Sequence, residues 1–337
     1  MEPFTLQLAN GGTVTGLANL PAASPTTTPR FKPLMVGLHG ASYSSAYFDV
    51  DAKHTAALAS DGLGVPWVAV DRPGYKGSTS FYPIPEQSSY HEVLGEWLHR
   101  YILPAVWQAF GEPRGCNSMV LLCHSLGAPG AVVAAALLAR DDGEAKDAGN
   151  PPGYYPLSGI VASGFGTQAS GGGNSSSGGN NDNRAHVPIP SNKEKEPEDD
   201  PELITFPAEV KDTMMLPAGT CDDAVYAHTA RLNEPFPARE RDDALPEAAF
   251  ARRFRTHWAP LVRVPVMVAV AERDPWWEAD DEHTSHLAAL FAASRKVEAR
   301  VIPGAPHNLE MSHWAQAWYA RCFGFGMECA VGFALAG

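Results

Sequence analysis

The chain has 337 residues, 45% of them apolar and 19% charged, enough for a sizeable core in one large domain or about two ordinary ones. Its 31 Gly and 29 Pro follow no fixed period and 5 Cys are sparse for this length, which excludes collagen-like, coiled-coil, wholly disordered and disulfide-scaffold classes. Acidic residues exceed basic ones by 38 to 25, a net charge of −13, so nucleic acid and anionic membrane surfaces would meet repulsion and neither is expected as a partner.

Met1 to Asn10 has no basic segment leading into an apolar one, so no secretory signal is expected. Phe4, Leu6 and Leu8 alternate with polar residues before Asn10-Gly11-Gly12, the pattern of an antiparallel hairpin over residues 4–20. Short apolar runs follow at Pro33–Leu38, Pro66–Val70, Ser118–Cys123, Leu157–Ala162, Val264–Ala271 and Val297–Ile302. Turns rich in Gly, Pro or Asp and longer Ala/Leu-rich stretches with helical spacing separate them. That alternation predicts an α/β fold with a mostly parallel sheet covered by helices.

Between the fourth and fifth runs the composition breaks. A Gly/Ser/Asn tract at 168–183 and a Lys/Glu/Asp/Pro run at 191–201 hold too few apolar residues to join a core, and the stretch 168–201 is expected to be a disordered surface insertion. Residues 203–258 regain apolar and aromatic positions in helix-like stretches. The five cysteines, Cys116, Cys123, Cys221, Cys322 and Cys329, are odd in number and form no C-x-x-C pair, which fits buried free thiols and a cytoplasmic location. The apolar tail Cys329–Gly337 is far shorter than the roughly 20 residues a membrane span needs.

The chemistry concentrates between Met119 and Ala139. An apolar strand, Met119-Val120-Leu121-Leu122, runs into Cys123-His124-Ser125-Leu126-Gly127 and then into a strong helix, with Pro129 suited to its first turn. A strand-to-helix turn tight enough to expose a serine needs small residues two positions before and after it, hence the G-x-S-x-G pattern. Gly127 fits; Cys123, small but not glycine, departs from it. A serine nucleophile needs a base held by a carboxylate, expected at the ends of later strands. The run Val264–Ala271 ends in Glu272-Arg273-Asp274, and Val301-Ile302-Pro303-Gly304-Ala305-Pro306 leads to His307. Ser125, Asp274 and His307 are therefore the candidate triad, with Glu272 the rival acid. Gly164-Phe165-Gly166-Thr167-Gln168-Ala169 matches a dinucleotide pattern but runs into the low-complexity tract where a helix is required. His283 and His286 read as a solvated acidic helix face rather than metal ligands, and there is neither a P-loop nor an H-E-x-x-H. No cofactor and no metal are expected.

Together, Leu38-His39-Gly40-Ala41, Asp71-Arg72-Pro73-Gly74-Tyr75, Cys123-His124-Ser125-Leu126-Gly127, Glu272-Arg273-Asp274 and Pro306-His307 resemble the α/β-hydrolase superfamily of the serine-nucleophile, cap-domain type. The resemblance implies a hydrolase core over residues 1–166 and 259–337 with an inserted cap at 167–258, and backbone N–H groups of Ala41 and Leu126 as oxyanion donors. Tyr43, Met214, Met215, Trp276 and Trp277 suggest an apolar substrate pocket. The expected activity is serine hydrolysis of a small-to-medium apolar ester, lactone or thioester through an acyl-enzyme. Alternatives are a natural-product pathway enzyme of the same fold that hydrolyses, cyclises or condenses thioesters, and a non-catalytic receptor or scaffold.

Overall fold

The computed structural model describes residues 1–22, 30–147, 155–170 and 201–336. Strands β1 (Glu2–Gln7), β2 (Thr13–Asn19), β3 (Pro33–Leu38), β4 (Trp67–Val70), β5 (Ser118–His124) and β6 (Leu157–Ser163) precede the insert. Within it lie the two-residue strands β7 (Leu203–Ile204) and β8 (Phe236–Pro237), and after it come β9 (Val266–Arg273) and β10 (Val297–Pro306). Eight of these form one sheet in the order β1-β2-β4-β3-β5-β6-β9-β10; β1, β2 and β4 pair antiparallel and every other neighbour pairs parallel. The expected hairpin and all six expected strands are present; β5 and β6 run one residue further at their carboxyl ends, β9 two and β10 four.

The central strands are buried on both faces, which is why they read as continuous apolar runs rather than alternating ones. Successive residues still divide between two cores. Leu34, Val36, Leu121 and Val268 face one, closed by α2 (Tyr90–Trp97), α3 (Leu103–Val106) and α4 (Gly127–Asp147). Met35, Val120, Leu122 and Met267 face the other, closed by α1 (Ala57–Leu63) and the long carboxyl-terminal helix α12 (Ala315–Ala336). All five cysteines are buried and unpaired. Among the described residues no helix is long and apolar enough to cross a membrane.

From β3 the chain moves outward to β4 and then returns to the other side of β3 as β5, so the order of connection reverses between β3 and β5. In open α/β sheets, ligands bind in the crevice at the carboxyl ends of strands where this reversal occurs. The insert meets that edge. Its helices α5 (Ala208–Met215), α6 (Asp223–Tyr226), α7 (Thr229–Leu232), α8 (Ala238–Asp242) and α9 (Ala249–Arg253) lead to α10 (Ala259–Leu261), and α11 (Asp281–Leu290) follows β9. Most of the tract expected to be disordered, 168–201, lies outside the described residues. Its first three are ordered: Ala169 bridges to Trp277, and the Ser170 N–H donates to the Trp276 carbonyl.

Candidate active site

At the end of β5 the backbone turns at Ser125, whose φ of 48° places a residue with a Cβ in the left-handed region. Such a conformation costs about 1–3 kcal/mol and persists only where its surroundings fix it. Here the Ser125 N–H donates to the Ser163 carbonyl at 2.8 Å, and the Ser125 carbonyl accepts from Ala128 N–H as α4 begins. Gly127 is required by close approach, because a Cβ there would lie 2.5 Å from the Leu38 carbonyl oxygen and 2.7 Å from that of His39. Gly40 lies so near the elbow that its Cβ would stand 3.0 Å from the Ser125 Cβ. Cys123, in the place of the motif's first glycine, is fully buried in the apolar core, where burial pushes its thiol pKa well up and leaves it inert. The departure from glycine is thus accommodated by packing.

Asp274, just past β9, and His307, just past β10, are each 1% exposed, and His307 Nδ1 lies 2.6 Å from Asp274 Oδ2. The second carboxylate oxygen accepts the Trp276 N–H at 3.0 Å, which fixes the carboxylate plane, and the Trp276 ring stands edge-on to His307. Glu272, the rival acid, is exposed, and its carboxylate accepts the Gly304 N–H, closing a turn instead of facing the histidine.

Opposite the serine, the turn after β3 carries His39-Gly40-Ala41-Ser42-Tyr43. His39 Nδ1 bonds the Gly40 carbonyl at 2.8 Å and Nε2 accepts the Arg72 N–H at 3.1 Å, an arrangement that requires a neutral ring. Burial, with Arg72 beside it, holds the His39 pKa well below its usual value. Neither Ala41 nor Leu126 gives its N–H to an acceptor among the described residues. Behind the elbow, His124 Nδ1 is 3.1 Å from Ser163 Oγ, and that hydroxyl is 2.6 Å from the fully buried Glu310. Tyr47 and Trp318 donate to the same carboxylate. Burial raises Glu310 and lowers His124, and Ser163 bridges the two.

The five expected pocket residues do not share one cavity. Trp277 lines a small apolar one with Leu126, Pro129, Phe165, Phe250 and Phe254, in which about 30 Å³ is free. Tyr43, Met214 and Met215 lie instead in the buried core where the insert meets the sheet. Tyr43 accepts a 2.6 Å bond from Asn308 Nδ2, and its hydroxyl faces Met215 Sδ. Sequence reasoning missed Arg255, the charged residue of the cavity wall, and did not assign Phe250 and Phe254 to it, although their spacing of four on one helical face was a readable signal. It also misread His283, which is buried rather than solvated and accepts the N–H groups of Thr167 and Gln168. Among the described residues no group of His, Cys, Asp and Glu side chains could hold a metal.

The chain belongs to the alpha/beta hydrolase family, whose model matches residues 35–321. The match spans the sheet from β3 to β10, both turns that flank Ser125 and the insert. No curated protein matches the chain. Among solved structures, the thioesterase domain from the curacin biosynthetic pathway superposes with a TM-score of 0.55 at 14% identity, covering 96% of this chain and 99% of that one. A haloalkane dehalogenase variant from Bradyrhizobium elkanii gives 0.55 at 13%, covering 100% and 99%. The naproxen esterase of Bacillus subtilis gives 0.51 at 15%, covering 96% and 90%. These likenesses are of fold.

Proposed function

We propose that the protein is a serine hydrolase of small-to-medium apolar esters, lactones or thioesters, with Ser125 as nucleophile, His307 as general base and Asp274 as its orienting carboxylate. The observation that carries the reading is the buried 2.6 Å contact between His307 Nδ1 and Asp274, together with a serine held at φ 48° at the end of β5. With Nδ1–H committed to Asp274, Nε2 is the basic nitrogen. It takes the Ser125 hydroxyl proton as Oγ bonds to the substrate carbonyl carbon, and the carbonyl oxygen becomes an oxyanion facing the free N–H groups of Ala41 and Leu126. Collapse expels the alcohol or thiol, which takes the proton from His307. Water then repeats the sequence on the acyl-enzyme and releases the acid.

The insert serves in this reading as the cap, since it supplies Phe250 and Phe254 to the cavity wall beside Leu126. The cavity leaves only about 30 Å³ free, which favours short acyl groups. Arg72 and Arg273 offer no anion site: Arg72 is buried against Glu240 and Arg273 is exposed. The test is fluorophosphonate labelling followed by a p-nitrophenyl ester series. Wild type should label and should prefer acetyl and butyryl to longer esters. Ser125→Ala should lose both labelling and turnover while keeping its melting temperature within a few degrees; labelling retained by that variant rules the reading out.

A further inference from the structure

Lys211, on α5 of the insert, has no exposed surface. Its Nζ donates to the Ser42 carbonyl at 2.6 Å, to Asn233 Oδ1 at 3.1 Å and to the Leu232 carbonyl at 3.3 Å, and stands 3.5 Å above the centre of the Tyr43 ring. Three oxygens and an aromatic face surround one nitrogen, which matches the three N–H bonds of an ammonium. Burial pulls against this, drawing the pKa down to about 6, while the charges of Asp212 and Glu234 raise it. Burying a lysine without a bonded carboxylate is costly, and a lysine that only anchored the insert could lie at the rim with its head in water.

The residue that receives the shortest of these bonds is Ser42, with φ 60°, the non-glycine left-handed residue that directly follows Ala41. Its carbonyl also accepts the Glu234 N–H at 3.0 Å, so two donors from the insert converge on one strained peptide. The next residue, Tyr43, lies under the Lys211 nitrogen and accepts from Asn308, the neighbour of His307. Asn308 in turn gives its backbone N–H to Met215, at the end of α5. One helix of the insert therefore holds both the turn that carries Ala41 and the segment that carries His307.

We propose that Lys211 is a positioning residue: by fixing the Ser42 carbonyl and the Tyr43 ring it sets the peptide planes of the turn and aims the Ala41 N–H at the developing oxyanion. The proposal rests on the reading of Ser125 as nucleophile. A donor that stabilises the transition state more than the ground state acts on kcat, so a misaimed turn should lower kcat and leave KM nearly unchanged.

The experiment compares wild type, Lys211→Met and a control, Thr229→Val, which breaks the 2.6 Å bond to Asp212 inside the insert without touching the turn. Read-outs are melting temperature, kcat and KM for p-nitrophenyl acetate, and the rate of fluorophosphonate labelling. K211M should lose about ten- to a hundredfold in kcat and labelling rate with KM within about twofold, while T229V keeps kcat within about twofold. Labelling of K211M within about threefold of wild type, or an equal kcat loss in T229V, overturns the proposal. Should K211M fail to fold, Lys211→Gln, whose amide ends one bond short of the Lys211 nitrogen, takes its place, and labelling of K211Q within about threefold of wild type overturns the proposal likewise. If wild type itself neither labels nor hydrolyses, the hydrolase reading fails; if wild type and K211M label alike, only the role of Lys211 does.

Discussion

A carboxylate and an imidazole can be tied together in sequence by order and spacing, but which of two nearby acids faces the ring depends on how the strand ends. Glu272 closes the backbone turn at Gly304, and Asp274, two residues on, is left to face His307. Asp274→Asn should therefore lower kcat by about four orders of magnitude, because an amide that donates to Nδ1 stabilises the wrong tautomer. Glu272→Gln should lose little. A steady-state comparison of the two variants decides between them, and the reverse ranking would move the acid. The placement of Ser125, Asp274 and His307 at strand ends was legible because each follows an apolar run and sits next to a short pattern of turn residues. Lys211 was not, since nothing local distinguishes a lysine on an eight-residue helix from a solvated one; its significance lies in the Ser42 carbonyl 169 positions away. Tyr43 shows the converse, an aromatic near the site whose ring lies against the buried Lys211 nitrogen and whose hydroxyl serves Asn308.

Strands were the legible elements, because a central parallel strand is one short apolar run with turn residues at both ends. The insert's helices were not: several span only four or five residues, too short for a period of 3.6 to register, and they are held by contacts distant in sequence. Chief among those contacts is the buried pair of Arg72, after β4, and Glu240, on α8. Arg72 Nη2 lies 2.7 Å from Glu240 Oε1, both side chains are fully buried, and Tyr75 donates to the second carboxylate oxygen at 2.6 Å. Glu240→Leu should cost about 3–5 kcal/mol, since it strands a buried guanidinium, whereas adding Arg72→Met should recover most of that loss. Urea unfolding of the two single variants and the double variant measures the coupling. A double variant no more stable than the worse single would show that the pair does not act as a unit. The backbone N–H of Arg72 also supports His39, so the same measurement should include labelling rates: a seam that only holds the insert down should alter stability before chemistry.

For the whole molecule, burial of polar groups sets the response to pH, and the composition reports the count of 12 histidines without saying which are buried. His39, His91 and His124 are at most 1% exposed, and burial lowers all three, His91 to about 3. The unfolded chain takes up a proton on each near pH 6.5, while the folded chain refuses it until far lower, so U binds more protons than N and stability falls as pH drops below about 6.5. Glu92 acts in the same direction further down. Burial would raise it, but bonds from Arg253, Trp258 and the N–H and hydroxyl of Ser89 outweigh that and hold it at about 2, so its contribution is present above the unfolded value and lost as pH falls towards 2. On the alkaline side, Lys211 at about 6 against an unfolded value of 10.5 also makes stability rise with pH. Stability should therefore peak above neutrality. His91, held at about 3, contributes a slope approaching about 1.4 kcal/mol per pH unit between pH 6 and 4, and His39 and His124 add to it in the same direction. Urea midpoints at one-unit intervals from pH 8 to pH 4 test this, and a flat profile between pH 7 and pH 5 would show that at least two of the three rings accept protons in the folded state. His91, whose Nε2 bonds the Glu240 carbonyl at the seam between α2 and the insert, is the one to replace first. His91→Gln can keep a donor to that carbonyl but has no proton to refuse, so it should make the fall in stability below pH 6 shallower by up to about 1.4 kcal/mol per pH unit while leaving the midpoint at pH 8 nearly unchanged.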